Sequence, residues 1–139
     1  MLKEIQQKVI DLFKADSRLA KPGKVKEWYF GVPASPIDYP YGYIALLGGP
    51  VKEWTWDEKE YRADILCVVR DRQPAEDVAE KNVQDLTEAM REVLSAKPTL
   101  DGLVDLAELV GWVFDKVPEE GGTVYNGYVT LRVLKLLIG

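Results

Sequence analysis

The sequence predicts an α+β domain in which a mostly antiparallel sheet of four to five strands carries two helices packed on one face. Two segments repeat apolar residues with a helical period, and other segments alternate or collect β-branched and aromatic residues, as strands do. The resulting order is helix, three strands, helix, two strands. At 139 residues, 47% of them hydrophobic, the chain has the size and composition of a single domain, 1–139, around one core.

The first element is an amphipathic helix, because apolar residues recur at spacings of three and four while charged and amide residues take the other face. The apolar positions are Leu2, Ile5, Val9, Leu12 and Phe13. A turn signal, Pro22-Gly23, follows the helix. Beyond it, VKEWYFGV mixes β-branched and aromatic residues, which predicts a first strand near 25–30.

Segment 31–40, GVPASPIDYP, contains three prolines, which fix φ and remove backbone donors, so we expect an ordered but irregular loop. The apolar run 41–47 and the alternating segment 59–70 predict the second and third strands. Between them, Trp54 and Trp56 stand two residues apart, which places both indoles on one face if the backbone is extended. This pair is expected to extend a hairpin outward.

The second helix is predicted to begin at Pro74, with Glu76, Asp77 and Glu80 in the turns where the helix dipole favours negative charge. It should end before Pro98. Segment 103–117, LVDLAELVGWVFDKV, is helix-compatible in its first half and strand-like in its second, and we predict a strand.

The closing segment predicts a C-terminal hairpin in which PEEGG at 118–122 makes the turn and TVYNGYVTLRVLKLLI makes the last strand. Asn126-Gly127 is itself a two-residue turn signal, so it competes with PEEGG as the point of reversal. We predict that it forms a bulge inside one long strand.

Composition argues against several classes of function. The chain has no histidine, the usual general base and metal ligand, and one cysteine, Cys67, which lies in the apolar run ILCVV and is expected to be a buried thiol. A net charge of −5 opposes binding to nucleic acid or to anionic membranes. Lacking a long apolar block, the chain is expected to be soluble and unexported. We therefore expect no catalytic residue, cofactor, metal or membrane partner.

Two acidic clusters are candidate sites. Residues 57–60 include three acids but lack the ligand spacing of a calcium loop, so a solvated loop is the favoured interpretation. Glu76, Asp77 and Glu80 suit a helix start without any role in acid/base chemistry. A small hydrolase or transferase that works through carboxylates stays a third hypothesis, with no constellation of residues behind it.

Aromatic residues are concentrated in the first half of the chain, much of them in or beside loops, where aromatic side chains often anchor protein interfaces. Packing of these residues against the core is an equally good interpretation. The candidate interface residues are Trp28, Tyr39, Tyr41, Trp54, Trp56, Tyr125 and Tyr128.

The element order, the segment TLDGLVDLAELVGW and the closing YNGYVTLRVL together resemble the tail-terminator and tail-completion proteins of long-tailed phages. The resemblance covers nearly the whole chain in element order, and it departs from that family at GVPASPIDYP and KEWTWDEK. It implies a small α/β sandwich whose copies form a ring, commonly a hexamer, that caps the tail tube and presents a docking surface to the head. It brings no catalytic residues.

On this resemblance we expect a structural virion or prophage-derived protein. Its partners would be further copies of itself, the tail tube and the head-neck proteins, with no specific nucleic-acid binding. It would occur in the host cytoplasm during assembly and in the virion tail afterwards. The alternative is a host-encoded interaction module that uses aromatic loops around Trp28, Tyr41 and Trp54.

Overall fold

The computed structural model describes residues 2–20, 24–34, 38–47 and 60–136. Helix α1 spans Leu2–Ala15 and helix α2 spans Glu76–Ser95. The strands are β1 (Trp28–Phe30), β2 (Tyr41–Leu46), β3 (Glu60–Asp71), β4 (Leu106–Glu119) and β5 (Gly122–Leu136). The predicted order of helix, three strands, helix and two strands is confirmed. In the described part of the chain no helix is long and apolar enough to cross a membrane.

The strands form one five-stranded sheet in the order β1-β2-β3-β5-β4. Strand β1 pairs parallel with β2. The other three pairs, β2 with β3, β3 with β5 and β5 with β4, are antiparallel. The sheet is therefore mostly antiparallel, as predicted, and the order places β1 at one edge and β4 at the other.

Both helices pack on the same face of the sheet, which we call the helix face. Helix α1 reaches β1, where the ring centroids of Phe13 and Trp28 lie 4.9 Å apart, and its Gln6 amide donates to the carbonyl of Ile44 at 3.1 Å. Helix α2 lies over β3 and β5, where Cys67 and Val129 are fully buried. The fold class predicted from the sequence is confirmed. We call the opposite side of the sheet the open face.

Strand β5 runs unbroken through Asn126 and Gly127, so the bulge predicted there is wrong. Gly127 faces α2 instead, and a Cβ added to it would overlap the Thr87 hydroxyl and lie 3.0 Å from Val83 Cγ1. The glycine thus permits a close approach of helix and strand and does not reverse the chain. The irregularity lies on the neighbouring strand, where the β4 register shifts between Leu109 and Gly111.

The turn predicted at PEEGG is confirmed, since Glu119 pairs with Gly122 across the β4–β5 hairpin. Gly121 has φ +95°, which a residue with a side chain adopts rarely. The second helix begins two residues later than predicted, at Glu76, because Ala75 is still extended at φ −97° and ψ 116°. The predicted strand in segment 103–117 already begins at Leu106, so most of the half that is helix-compatible by its pattern is strand as well.

Two carboxylates fix the connections of α2. Asp71 is fully buried at the end of β3 and accepts hydrogen bonds from the Arg72 backbone, the Gln73 amide and the Asn82 amide at 2.8, 2.9 and 3.0 Å. After the helix, Asp101 pairs with Lys8 and Lys97, each at 2.9 Å. The first contact ties the β3–α2 connection to the helix, and the second ties the α2–β4 connection to α1.

Candidate assembly surface

Strand β4 forms one edge of the sheet. It pairs with β5 along its length, and no strand among the described residues pairs with its other side. Near its start the Ala107 amide donates to the carbonyl of Pro98 at 2.7 Å, so that end is partly covered by the preceding loop. The rest of a long edge strand of this kind offers backbone donors and acceptors to another chain.

The exposed apolar side chains of the molecule concentrate on this strand. Of the eleven large hydrophobic side chains that are exposed in the described part of the chain, six belong to β4. They are Leu106, Val110, Trp112, Val113, Phe114 and Val117, with exposed fractions between 39% and 60%. A cluster of this kind marks an interaction site more often than scattered single residues do. We call Val110, Trp112, Val113, Phe114 and Val117 the β4 edge.

The register shows that the apolar side chains point to both faces of the sheet. Trp112 and Phe114 lie opposite Val129 and Gly127, on the helix face. Val113 lies opposite Tyr128, on the open face. A strand with one solvated face alternates apolar and polar residues, whereas a strand with neighbours on every side is apolar on both faces. The β4 edge therefore has the composition of an interior strand.

Trp112 is held in place from the helix side. The guanidinium carbon of Arg91, on α2, lies 3.6 Å from the centroid of a Trp112 ring. Arg91 covers one face of the indole, and 49% of the Trp112 surface remains exposed. A cation over an aromatic face is attracted by the electron density of the ring, which restricts the orientation of the indole. Trp112 is thus a large, oriented and accessible apolar side chain, as interface anchors are.

A cleft of about 240 Å³ lies between α2 and the second half of β4. Phe114 and Tyr125 form its strand side, and Glu80, Val83 and Gln84 form its helix side. Phe114 is 46% exposed at the margin of the cleft. The cleft continues the β4 edge toward α2 and gives it a concave border.

On the open face, a polar row crosses four strands at one level: Tyr41, Arg70, Asn126 and Asp115 lie opposite one another in sequence. Arg70 donates to the Tyr41 hydroxyl at 2.6 Å, to the Asn126 side-chain oxygen Oδ1 at 2.7 Å and to Glu119 at 2.8 Å. The Asn126 amide donates to Asp115 at 2.7 Å. Hydrogen bonds that include charged groups are among the stronger ones, so this row fixes the relative position of the strands.

Tyrosines surround the row. Tyr41 contacts Tyr29 and Tyr39, with ring centroids 5.8 and 5.3 Å apart. The Tyr128 hydroxyl lies 3.3 Å from Asp115, and burial together with that carboxylate raises the pKa of Tyr128 to about 12. The hydroxyl is therefore protonated at neutral pH and is a hydrogen-bond donor. The cluster makes the open face amphipathic.

The structure separates the candidate interface residues of the sequence. Trp28 is 5% exposed and its indole donates to the Leu19 carbonyl at 2.9 Å, and Tyr125 is 8% exposed with its hydroxyl 3.2 Å from Glu76. Both are packed in the core, which was the alternative interpretation of the pattern. Tyr41 is 1% exposed on the open face.

Tyr39 and Tyr128 are the two predicted interface residues that the structure leaves half-buried and partly accessible; Tyr128 is on the open face, and Tyr39 packs against Tyr41 just before β2. Trp54 and Trp56 lie outside the described residues. The exposed aromatic residues of β4, Trp112 and Phe114, are not among those candidates. The signal that points to them is the uninterrupted apolar run LVGWVF, 109–114, in the first strand of the C-terminal hairpin.

Groups suited to chemistry are sparse in the described part of the chain. No three His, Cys, Asp or Glu residues there are placed to hold a metal ion. Cys67 is fully buried, and burial raises the pKa of its thiol, which keeps it neutral. No protein-family model matches the chain, and no curated protein matches it.

Proposed function

We propose that this protein is a structural subunit that assembles with copies of itself through the β4 edge into a ring that caps or joins the tail tube of a long-tailed phage. The single observation that carries the proposal is the unpaired β4 edge, apolar on both faces of the sheet. An edge strand of this composition is an aggregation hazard in a lone subunit. Covering it with a neighbouring copy removes the hazard, and a closed ring does so for every copy.

The energetics favour a cooperative assembly over a tight pair. Burying the surface that is still exposed on one valine or phenylalanine contributes roughly 1 kcal/mol. Five such side chains offset only the lower end of the rotational and translational entropy cost of association, which is on the order of 4–15 kcal/mol, so an isolated pair is expected to form only at high concentration. A ring forms two contacts for each subunit, so the assembly is more stable than any isolated pair.

The phage assignment rests on the resemblance of the element order and of the segments 99–112 and 125–134 to tail-terminator proteins. On that basis the ring has six copies, with the tail tube and the head-neck proteins as further partners. The protein acts without catalysis, in the host cytoplasm during assembly and then in the virion tail, and its gene is of phage or prophage origin.

The net charge of −5 is consistent with a ring through which DNA passes. Phosphates and carboxylates repel each other at short range, so an acidic lumen keeps the duplex from adhering. Tight binding of double-stranded DNA at moderate salt would argue against this part of the proposal.

The alternative, an interaction module whose aromatic loops bind a partner, is weakened by the burial of two of its three central residues, Trp28 and Tyr41. Neither side chain offers more than 5% of its surface to a partner. A partner would have to bind at residues other than these two.

Negative-stain electron microscopy of the purified chain at high concentration tests the proposal. Closed rings of one diameter with a central hole are expected. Open filaments, or particles of single-subunit size only, would contradict it. The same images taken after addition of a Val113→Glu variant in excess should show fewer closed rings, because a subunit with a blocked edge interrupts the circle.

A further inference from the structure

A second set of exposed apolar side chains lies at the opposite edge of the sheet. Phe30 ends β1 and is 49% exposed, and Val32 follows it with 72% exposed. Leu46 and Leu47, at the end of the neighbouring β2, are 46% and 42% exposed. We call these four residues the β1 patch. With the exception of Val78 on α2, the β4 strand and the β1 patch hold all the large exposed hydrophobic residues in the described part of the chain.

We infer that the occupant of the β4 edge is the β1 patch of a second copy of this chain, so that the sheets of neighbouring subunits join head to tail. The inference rests on the proposed function, which it deepens by naming the second half of the contact. A ring requires two different surfaces on each subunit, placed so that each copy offers one to the copy before it and the other to the copy after it. The β4 edge and the β1 patch lie at the two ends of one sheet.

Strand directions suit such a contact. Strand β4 is antiparallel to β5, β5 to β3 and β3 to β2, while β1 runs parallel to β2. It follows that β4 and β1 run in opposite directions within one subunit. When a second copy is placed beside the first in the same orientation, its β1 meets β4 as an antiparallel neighbour, which is slightly the more stable pairing.

The side chains also fall on matching faces. Successive residues of a strand alternate between faces, and Trp28 points to the helix face, so Phe30 points there too. Trp112 and Phe114 of the β4 edge are on the same face. On the open face, Tyr29 of one copy would lie near Val113 of the next. Apolar groups would thus meet apolar groups on both faces of the joined sheet.

The charges of the two edges are complementary. Strand β4 and its turn carry four acidic residues and one basic residue, for a net −3 over 106–121. One of the acids, Glu119, is paired with Arg70, and the strand keeps a net negative charge without it. Segment 24–30, which leads into β1, carries two lysines, Lys24 and Lys26, and one glutamate, for a net +1. Opposite charges on facing edges favour this pairing over others.

The same facts disfavour a symmetric contact of β4 with β4. Such a contact would bring two acidic edges together, at an electrostatic cost. It would also leave the β1 patch, including the 72% exposed Val32, uncovered in the assembly. The head-to-tail contact covers both apolar surfaces with one interface.

Two blocked variants test the inference. Val113→Glu blocks the β4 edge and Val32→Glu blocks the β1 patch, and both positions are more than half exposed, so the monomer fold should tolerate the glutamate. Each variant is compared with the wild-type chain by sedimentation velocity at the highest attainable concentration. Far-ultraviolet circular dichroism and thermal unfolding of each variant show whether it folds as the wild-type chain does.

The head-to-tail contact predicts that each variant alone is monomeric and that an equal mixture forms a dimer and nothing larger. In that dimer the intact β4 edge of the Val32→Glu chain meets the intact β1 patch of the Val113→Glu chain, and both remaining surfaces are blocked. If Val32→Glu alone assembles as the wild-type chain does, the inference is overturned and the proposed function stands. A wild-type chain that is monomeric at every concentration overturns both.

Discussion

The Arg91 guanidinium carbon lies 3.6 Å from the centroid of a Trp112 ring, so helix α2 orients the largest exposed side chain of the edge strand β4. Arg91 Nε is buried and has no hydrogen-bond partner among the described residues, and its guanidinium packs on the indole. The outer face of the indole is left for a neighbour. A rigid aromatic group loses little entropy when it is buried, which favours it as an anchor.

Replacing Trp112 by alanine should weaken self-association by about 2 kcal/mol, roughly thirtyfold in the association constant. The free energy of unfolding of the monomer should fall by less than about 1 kcal/mol, because the ring is half exposed. Trp28→Ala is the contrasting variant, and it should cost about 3–5 kcal/mol of folding stability since that ring is buried. Sedimentation equilibrium and urea unfolding measure the two effects. Equal loss of stability in both variants would show that Trp112 is a core residue.

Gly127→Ala should destabilise the fold by about 1–3 kcal/mol, because the added methyl group overlaps the Thr87 hydroxyl. Removing that hydroxyl in the double variant Gly127→Ala/Thr87→Ala should restore part of the loss. Gly111→Ala is the matched control, since nothing lies within 4 Å of a Cβ added there. Urea unfolding at concentrations where the chain is monomeric gives the free energy of unfolding of all three variants. A Gly127→Ala variant as stable as Gly111→Ala would mean that helix and strand are not in close contact.

Arg70→Leu should lower the free energy of unfolding by roughly 2–3 kcal/mol, because it removes three hydrogen bonds and takes the donor from the buried Asn126 side-chain oxygen Oδ1. Tyr41→Phe removes one of the three and should cost about 1 kcal/mol. Chemical denaturation measures the loss of unfolding free energy in each variant. The difference between the two losses gives the contribution of the Arg70 hydrogen bonds to Asn126 and Glu119. Two variants of equal stability would show that the row contributes little beyond the tyrosine contact.

The ion pairs of Asp101 should contribute a pH-dependent part of stability. Hydrogen bonds from Lys8 and Lys97 lower the pKa of Asp101 to about 2, below the usual carboxyl value of about 4. Stability from a lowered carboxyl pKa is present above the unfolded value and is lost as pH falls through the folded one, here between about pH 4 and 2. The melting temperature of wild type should exceed that of Asp101→Asn at pH 6, and the two should converge near pH 2. A constant difference between the two proteins over this range would contradict the assignment.

The fold class followed from the sequence because helix periods and strand alternation are local properties. The spacing of Leu2, Ile5, Val9 and Phe13 defines a helix whatever surrounds it. The structural role of Gly127 could not be predicted from such local patterns. It depends on Thr87, forty residues earlier in the chain, and Asn-Gly is a turn signal when only neighbours in sequence are considered.

The assembly surface depends on the order of strands in the sheet, which local patterns do not contain. The pattern of LVGWVF predicts a strand, but only the order β1-β2-β3-β5-β4 places it at an edge and thereby exposes Trp112 and Phe114. For the same reason Trp28 was a candidate for an interface. An aromatic residue beside a loop fits a core or a surface equally well until the position of α1 is known.

Native mass spectrometry over a range of concentrations is the most direct test of self-assembly through the β4 edge. Wild type and the Val78→Glu control, which changes an exposed apolar residue on α2, should form the same oligomer as concentration rises. Val113→Glu, with a charge at the most exposed position of the β4 edge, should stay monomeric. A Val113→Glu protein that assembles as wild type does, or a wild type that is monomeric at every concentration, would contradict the assignment of this edge.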